Sequence, residues 1–198
     1  MLQLNKHVFD LKRPLLMGIL NITPDSFSDG GQYFTLDEAL KRAHQMIEEG
    51  VDIIDVGGES TRPGSEPVSA DEELKRIVPI IEALKKDSNI TISVDTYKPE
   101  VMREVIDMDV AMINDVYALR QPGAIDVVKT SKVGICLMHM QGTPQTMQIN
   151  PQYINVVSEV KSFLEARAND LVNEGMDKSR IILDPGFGFG KTFEHNIE

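Results

Sequence analysis

The sequence predicts an α/β chain wound from parallel βα units, and three observations carry that prediction. Short apolar runs recur at residues 15–20, 51–56, 90–94, 111–116, 133–138 and 180–183. Each is near-continuously apolar, as strands covered on both faces are. Segments with helical spacing separate these runs, and polar residues gather where the runs end rather than scattering along the chain.

Residues 2–5 and 7–11 read as a small antiparallel hairpin ahead of the first parallel strand. After that strand, Thr35-Leu36-Asp37-Glu38 is a capping box opening a helix. Its apolar face is Leu36, Ala39, Leu40, Ala43 and Ile47, and Gly50 stops it. Ser69-Ala70-Asp71-Glu72 repeats the device ahead of Leu74, Ile77, Val78, Ile81 and Leu84, with Pro79 expected to bend the helix. Pro99 suits the first turn of a third helix carrying Val101, Met102, Val105 and Ile106. Residues 123–130 and 153–174 supply two more, the second ended by Gly175, and 193–198 reads as the first turn of another. Strand–helix–strand alternation with right-handed crossovers winds the sheet in one direction. The expected architecture is a TIM-type (β/α)8 barrel, which needs ~250 residues when complete. Residues 1–198 hold about six of its eight units, so the sequence is expected to be a single barrel domain incomplete at its C-terminus.

The proportions, 41% hydrophobic and 26% charged, are those of a globular chain with one core. Twenty Lys plus Arg against thirty-one Asp plus Glu give a net charge of −11. Such a chain has no field to hold a phosphate polymer or an anionic membrane, so no nucleic acid and no membrane partner is expected. No apolar run approaches the ~20 residues of a membrane helix. One cysteine, Cys136, makes no internal disulfide, and the start lacks an apolar run of signal-peptide length, so the chain reads as cytoplasmic.

The polar residues at the strand ends define the candidate site. Asn21 follows the first strand, Asp55 and Gly57-Gly58-Glu59-Ser60-Thr61-Arg62 the second, and Asp95-Thr96 the third. Asn114-Asp115 follow the fourth, His139 the fifth and Asp184-Pro185-Gly186 the sixth. A parallel barrel gathers its strand C-termini on one face, so these groups are expected to ring one mouth. Three features point elsewhere and are set aside. Gly186-Phe187-Gly188-Phe189-Gly190-Lys191-Thr192 suggests a P-loop but has Pro185 where that motif needs glycine. The four histidines form no ligand spacing, which leaves His139 as a hydrogen-bonded residue of the mouth. Cys136 has no cation nearby in sequence to lower its pKa and reads as a small buried hydrophobe.

Two long segments, Gly18-Ile19-Leu20-Asn21-Ile22-Thr23-Pro24-Asp25-Ser26-Phe27-Ser28-Asp29-Gly30-Gly31 and Asp55-Val56-Gly57-Gly58-Glu59-Ser60-Thr61-Arg62-Pro63-Gly64, resemble the signatures of the dihydropteroate synthase family of pterin-binding enzymes. Ser93-Val94-Asp95-Thr96, Ile113-Asn114-Asp115, residues 137–142 and residues 184–191 continue the likeness in order and spacing. The resemblance implies a transferase of folate biosynthesis. Such an enzyme condenses 6-hydroxymethyl-7,8-dihydropterin diphosphate with p-aminobenzoate on a TIM barrel, with Mg2+ as cofactor and sulfonamides as competitors. It assigns Asp184 to the amino-pyrimidinone edge of the pterin, Asn114 to that edge with one donor and one acceptor, and Asp95 to the reduced ring. Met138 and Phe189 become apolar walls, and Asn21 the magnesium ligand. Thr61 and Arg62 meet the diphosphate, Phe27 and Pro63 flank the acid's ring, and Asp29 lies near its amine. Asp95 and Asp184 would stabilise the cation left as the C–O bond breaks. The family's segments after the seventh and eighth strands are missing from the sequence, and the family's homodimer forms through late helices. The alternative reading is a non-catalytic pterin-binding module or a truncated remnant.

Overall fold

The computed structural model describes residues 1–23, 36–61 and 65–198. The chain opens with the antiparallel hairpin of β1 (Leu2–Leu4) and β2 (His7–Phe9), turned at Asn5 in the left-handed conformation that Asn tolerates. Six parallel strands follow: β3 (Met17–Asn21), β4 (Ile53–Gly57), β5 (Thr91–Asp95), β6 (Met112–Asp115), β7 (Gly134–Met138) and β8 (Ile181–Asp184). Their order in the sheet is their order in the chain, β3-β4-β5-β6-β7-β8. A doubly wound sheet would reverse at a switch point; this one never does, so it is six consecutive βα units of a TIM-type barrel.

The crossovers are α1 (Leu36–Glu48), α2 (Ala70–Asp87), α3 (Pro99–Asp107), α4 (Ala124–Lys129) and α5 (Val156–Asn173), with α6 (Phe193–Ile197) after β8. Ser69 caps α2 by accepting from the Glu72 amide at 3.2 Å, and the helix runs unbroken through Pro79. Pro99 opens α3 as expected, whereas Thr35 lies outside the described residues. Among the described residues, no helix is long and apolar enough to cross a membrane.

Alternation along the strands sorts two faces. Leu20, Val56, Val94, Ile113, Ile135 and Leu137 join a core with Ala39, Ala43, Ile77, Ile81, Leu84, Met102 and Val105 of the helices. Burying these largely 0–1% exposed side chains is the main stabilising term of the fold. The opposite face lines the barrel interior. Its lower end is closed by Leu2 and Leu4 of the hairpin, packed on Ile53, Ala111, Met112 and Cys136. Gly134 makes room for this plug, since a Cβ there would lie 2.2 Å from Leu4 Cδ2. The two strands at the sheet's edges leave Ile19 64% and Leu183 43% exposed.

Candidate active site

Strand register builds the site. Asn21, Gly57, Asp95, Asn114 and Cys136 stand opposite one another across β3 to β7, so their side chains share the interior face in one layer. One layer deeper, Asp55, Ser93 and Met112 are likewise aligned. Above, Met138 and Asp184 pair at the ends of β7 and β8. Asp95 and Asp184 therefore close their strands at the same end of the sheet. Thr61 sits partly exposed just beyond β4. Asp29, Phe27, Arg62 and Pro63 lie outside the described residues.

The electrostatics of the mouth are those of crowded carboxylates. Burial pushes the Asp95 carboxyl well up, and Asp55, Glu73, Asp115 and Glu59 add to the shift. Asp55 is only 3% exposed, and burial raises its carboxyl too, against the opposing hydrogen bonds of its neighbours. Burial, with Asp184, Asp55 and Asp95 around it, pushes the Cys136 thiol up, so it stays protonated and inert, a small buried hydrophobe. Asp115 works differently: it accepts from the amides of Tyr117 at 2.7 Å and Leu119 at 2.8 Å and so shapes the turn after β6. That turn places Ala118 and Leu119 at positive φ.

Three side-chain oxygens are buried here with no hydrogen-bond partner among the described residues, Asp55 Oδ1, Ser93 Oγ and Asn114 Oδ1, and of these only the Ser93 hydroxyl can donate. Asn114 donates from Nδ2 to Asp55 Oδ2 at 2.9 Å. One N–H of the Asn114 amide is thereby committed to Asp55, which leaves its second N–H and its oxygen, one donor and one acceptor, for a ligand. Asp184 Oδ1 accepts the Gly186 amide at 2.7 Å, so this carboxylate serves its own loop with one oxygen. Asn21 Oδ1 and Asp95 Oδ2 lie 2.9 and 3.7 Å from where a Cβ at Gly57 would stand, so the glycine keeps open the space between amide and carboxylate. Among the described residues, no three His, Cys, Asp or Glu side chains form a metal cluster. A single neutral oxygen beside a carboxylate suits Mg2+, which keeps most of its water.

Met138 and Phe189 pack with Val116, Met140, Met147, Tyr97 and Tyr117 in a small apolar cluster beside the mouth. His139 hydrogen-bonds Lys191 Nζ through Nδ1 at 3.0 Å, which agrees with its reading as a bonded residue of the mouth. Sequence reasoning gave no role to Glu59, whose carboxylate accepts from Tyr97 Oη at 2.8 Å, Lys98 Nζ at 2.5 Å and the Val68 amide at 3.0 Å. Lys98 also pairs with buried Glu73. This network ties the segment after β4 to the segment after β5. Asp55, read as ending the second strand, stands in the middle of β4, and a charged residue inside an apolar run was its signal.

A sequence profile of the family described as pterin binding enzyme matches residues 17–198. Dihydropteroate synthase of Haemophilus influenzae is 50% identical over 194 residues, covering 98% of this chain and 70% of that protein. The Yersinia pestis dihydropteroate synthase, solved as a sulfonamide drug complex, superposes with a TM-score of 0.93 at 45% identity, over 99% of this chain and 71% of its own. The Burkholderia cenocepacia enzyme, complexed with 7,8-dihydropteroate, gives a TM-score of 0.85 at 50% identity over 96% of this chain and 65% of its own. The chain belongs to the pterin-binding enzyme family. It spans about two thirds of the length of these relatives, all of them dihydropteroate synthases.

Proposed function

We propose that the protein is a dihydropteroate synthase, joining 6-hydroxymethyl-7,8-dihydropterin diphosphate to p-aminobenzoate with release of diphosphate. The observation that carries this reading is the set of buried oxygens left without hydrogen-bond partners among the described residues, Asp55 Oδ1, Asn114 Oδ1 and the Ser93 hydroxyl, beside the Asp95 and Asp184 carboxylates. A pterin edge is rich in N–H groups and supplies the missing donors. Each buried acceptor left unpaired costs ~1–3 kcal/mol, so the pocket favours such a ring over one without its amino group. Asp184 takes the amino-pyrimidinone edge with Asn114, while Asp95 meets the reduced ring. As the methylene C–O bond breaks, positive charge spreads into the ring, and the carboxylates at 95 and 184 stabilise it electrostatically. Burial and neighbouring carboxylates disfavour the Asp95 anion, and a positive charge developing beside it offsets that cost. The arylamine nitrogen then attacks the methylene and releases its proton.

Mg2+ would be held by the Asn21 oxygen and by the substrate's diphosphate, whose leaving charge it would neutralise. By the sequence resemblance Thr61 and Arg62 are assigned to the same phosphates, Phe27 and Pro63 to the acid's ring, and Asp29 to its amine. With one buried free cysteine, the cytoplasm is its compartment. The six units of residues 1–198 alone are expected to give no measurable turnover, whereas a barrel of all eight βα units, incubated with both substrates, is expected to yield 7,8-dihydropteroate, with competition by sulfonamides. Pterin binding without product, at any Mg2+ concentration, would replace the synthase with a binding module.

A further inference from the structure

Lys191 is 6% exposed, yet among the described residues no carboxylate lies within ion-pair distance of it. Its ammonium spends its three protons on neutral acceptors: Gly186 O at 3.0 Å, Phe189 O at 3.1 Å and His139 Nδ1 at 3.0 Å. A buried cation is costly where an apolar chain would pack as well, so packing alone does not explain a lysine here. The loop that it closes carries Asp184 at its start. The Asp184 carbonyl accepts the His139 amide at 2.9 Å, and its side chain accepts the Gly186 amide at 2.7 Å. Tyr153 Oη donates to Gly190 O at 2.7 Å from the other side. The loop lies this close only because Gly186 and Gly190 have positive φ and no Cβ: one would sit 2.1 Å from His139 O, the other 2.7 Å from Gln141 O.

We propose that Lys191 is a positioning residue for pterin recognition, fixing the Asp184 carboxylate through Gly186 and His139. This rests on the role given to Asp184 above. The charge is adjustable: burial draws Lys191 down to about 8, opposed by Asp184 on β8. Burial and the Lys191 charge draw His139 down to about 4, with Arg120 lowering it further and Glu159 of α5 opposing, so the imidazole stays a neutral acceptor. Above pH 8 the amine has two protons for three acceptors, and the loop loosens. The sign for stability is opposite. The unfolded lysine keeps its proton up to its ordinary 10.5, so over that window the unfolded state binds more protons and stability from this group rises with pH. Pterin affinity therefore falls where fold stability rises, which a merely structural lysine would not produce.

The test uses the barrel of all eight βα units and calorimetric binding of 6-hydroxymethyl-7,8-dihydropterin diphosphate between pH 7 and 9.5. Lys191→Met is expected to bind at least tenfold more weakly at pH 7, to lose the decline above pH 8, and to keep its KM for p-aminobenzoate within twofold. Lys191→Arg, charged throughout, is expected to recover most of the affinity without the decline. Lys191→Met binding within twofold of wild type, or showing the same pH decline, overturns the proposal. If that variant does not fold, His139→Ala removes a single acceptor and is expected to weaken binding about threefold; unchanged affinity there also overturns it. Asp184→Asn separates the two readings. Undiminished pterin binding in Asp184→Asn sinks the role of Asp184 itself, whereas a loss there with none in Lys191→Met sinks only the positioning.

Discussion

At the N-terminal ends of the six strands the interior is filled by Leu2, Leu4, Ile53, Ala111 and Met112, while at the C-terminal ends the same interior holds Asp95, Asn114 and Asp184 over Asp55. The lower end is apolar but for Thr91, whose hydroxyl lies 3.3 Å from His7 Nδ1. The upper end holds buried oxygens with no partner among the described residues, Asp55 Oδ1, Ser93 Oγ and Asn114 Oδ1. An apolar plug loses free energy when any atom is removed from it, whereas a mouth of unsatisfied acceptors carries a desolvation cost that a ligand's donors relieve. Stability and recognition are thereby assigned to opposite ends of one set of strands.

The largest effect is expected at the plug. Leu4 is fully buried, and Leu4→Ala should cost ~3 kcal/mol in urea or thermal unfolding, with pterin affinity unchanged within twofold. A loss below ~1 kcal/mol would mean that the hairpin is not the closure of the barrel. The next effect belongs to the mouth. Asp184→Asn should weaken pterin binding by ~2 kcal/mol, because an amide turns one N–H toward a donor, while stability moves by less than ~0.5 kcal/mol. Calorimetric affinity within twofold of wild type would break the assignment. A large stability loss instead would place Asp184 with the structural residues of the plug.

The strands, helices and common mouth were legible because they follow from local signals. Near-continuous apolar runs mark strands covered on both faces, Ser69 marks a cap, and an Asp or Asn where such a run ends marks the upper rim. Pairings between strands were not legible. Nothing near Asn114 in sequence shows that its amide is held by Asp55, 59 positions away, since the contact exists only once β4, β5 and β6 are in register. For Lys191 only the negative half was legible. Pro185 excludes a phosphate loop, but that the ammonium turns inward onto the loop's own carbonyls is not revealed by side-chain spacing. The Glu59–Lys98–Glu73 network escaped for the same reason, as its members come from three separate segments.

The smallest expected effect tests the comparison most sharply, because its two readouts should move in opposite directions. Asp55 is buried in mid-strand, Asn is nearly its isostere, and the bond from Asn114 Nδ2 needs only an oxygen, which the amide retains. Asp55→Asn removes a carboxylate that burial disfavours. The folded carboxyl titrates above its ordinary 3.8, so between 3.8 and that raised value the folded state holds more protons and stability from this group falls as pH rises. The amide lacks this loss, so at pH 7 the variant should unfold ~1 kcal/mol later than wild type. Pterin affinity should drop by a similar ~1 kcal/mol, since the acceptor at Oδ1 and a negative charge beside Asp95 are both gone. Urea melts at pH 5 and 7, paired with calorimetry, read both. If stability and affinity fall together, Asp55 is an ordinary structural hydrogen-bonding residue, and the boundary between plug and mouth lies one layer higher, at Asp95 and Asn114.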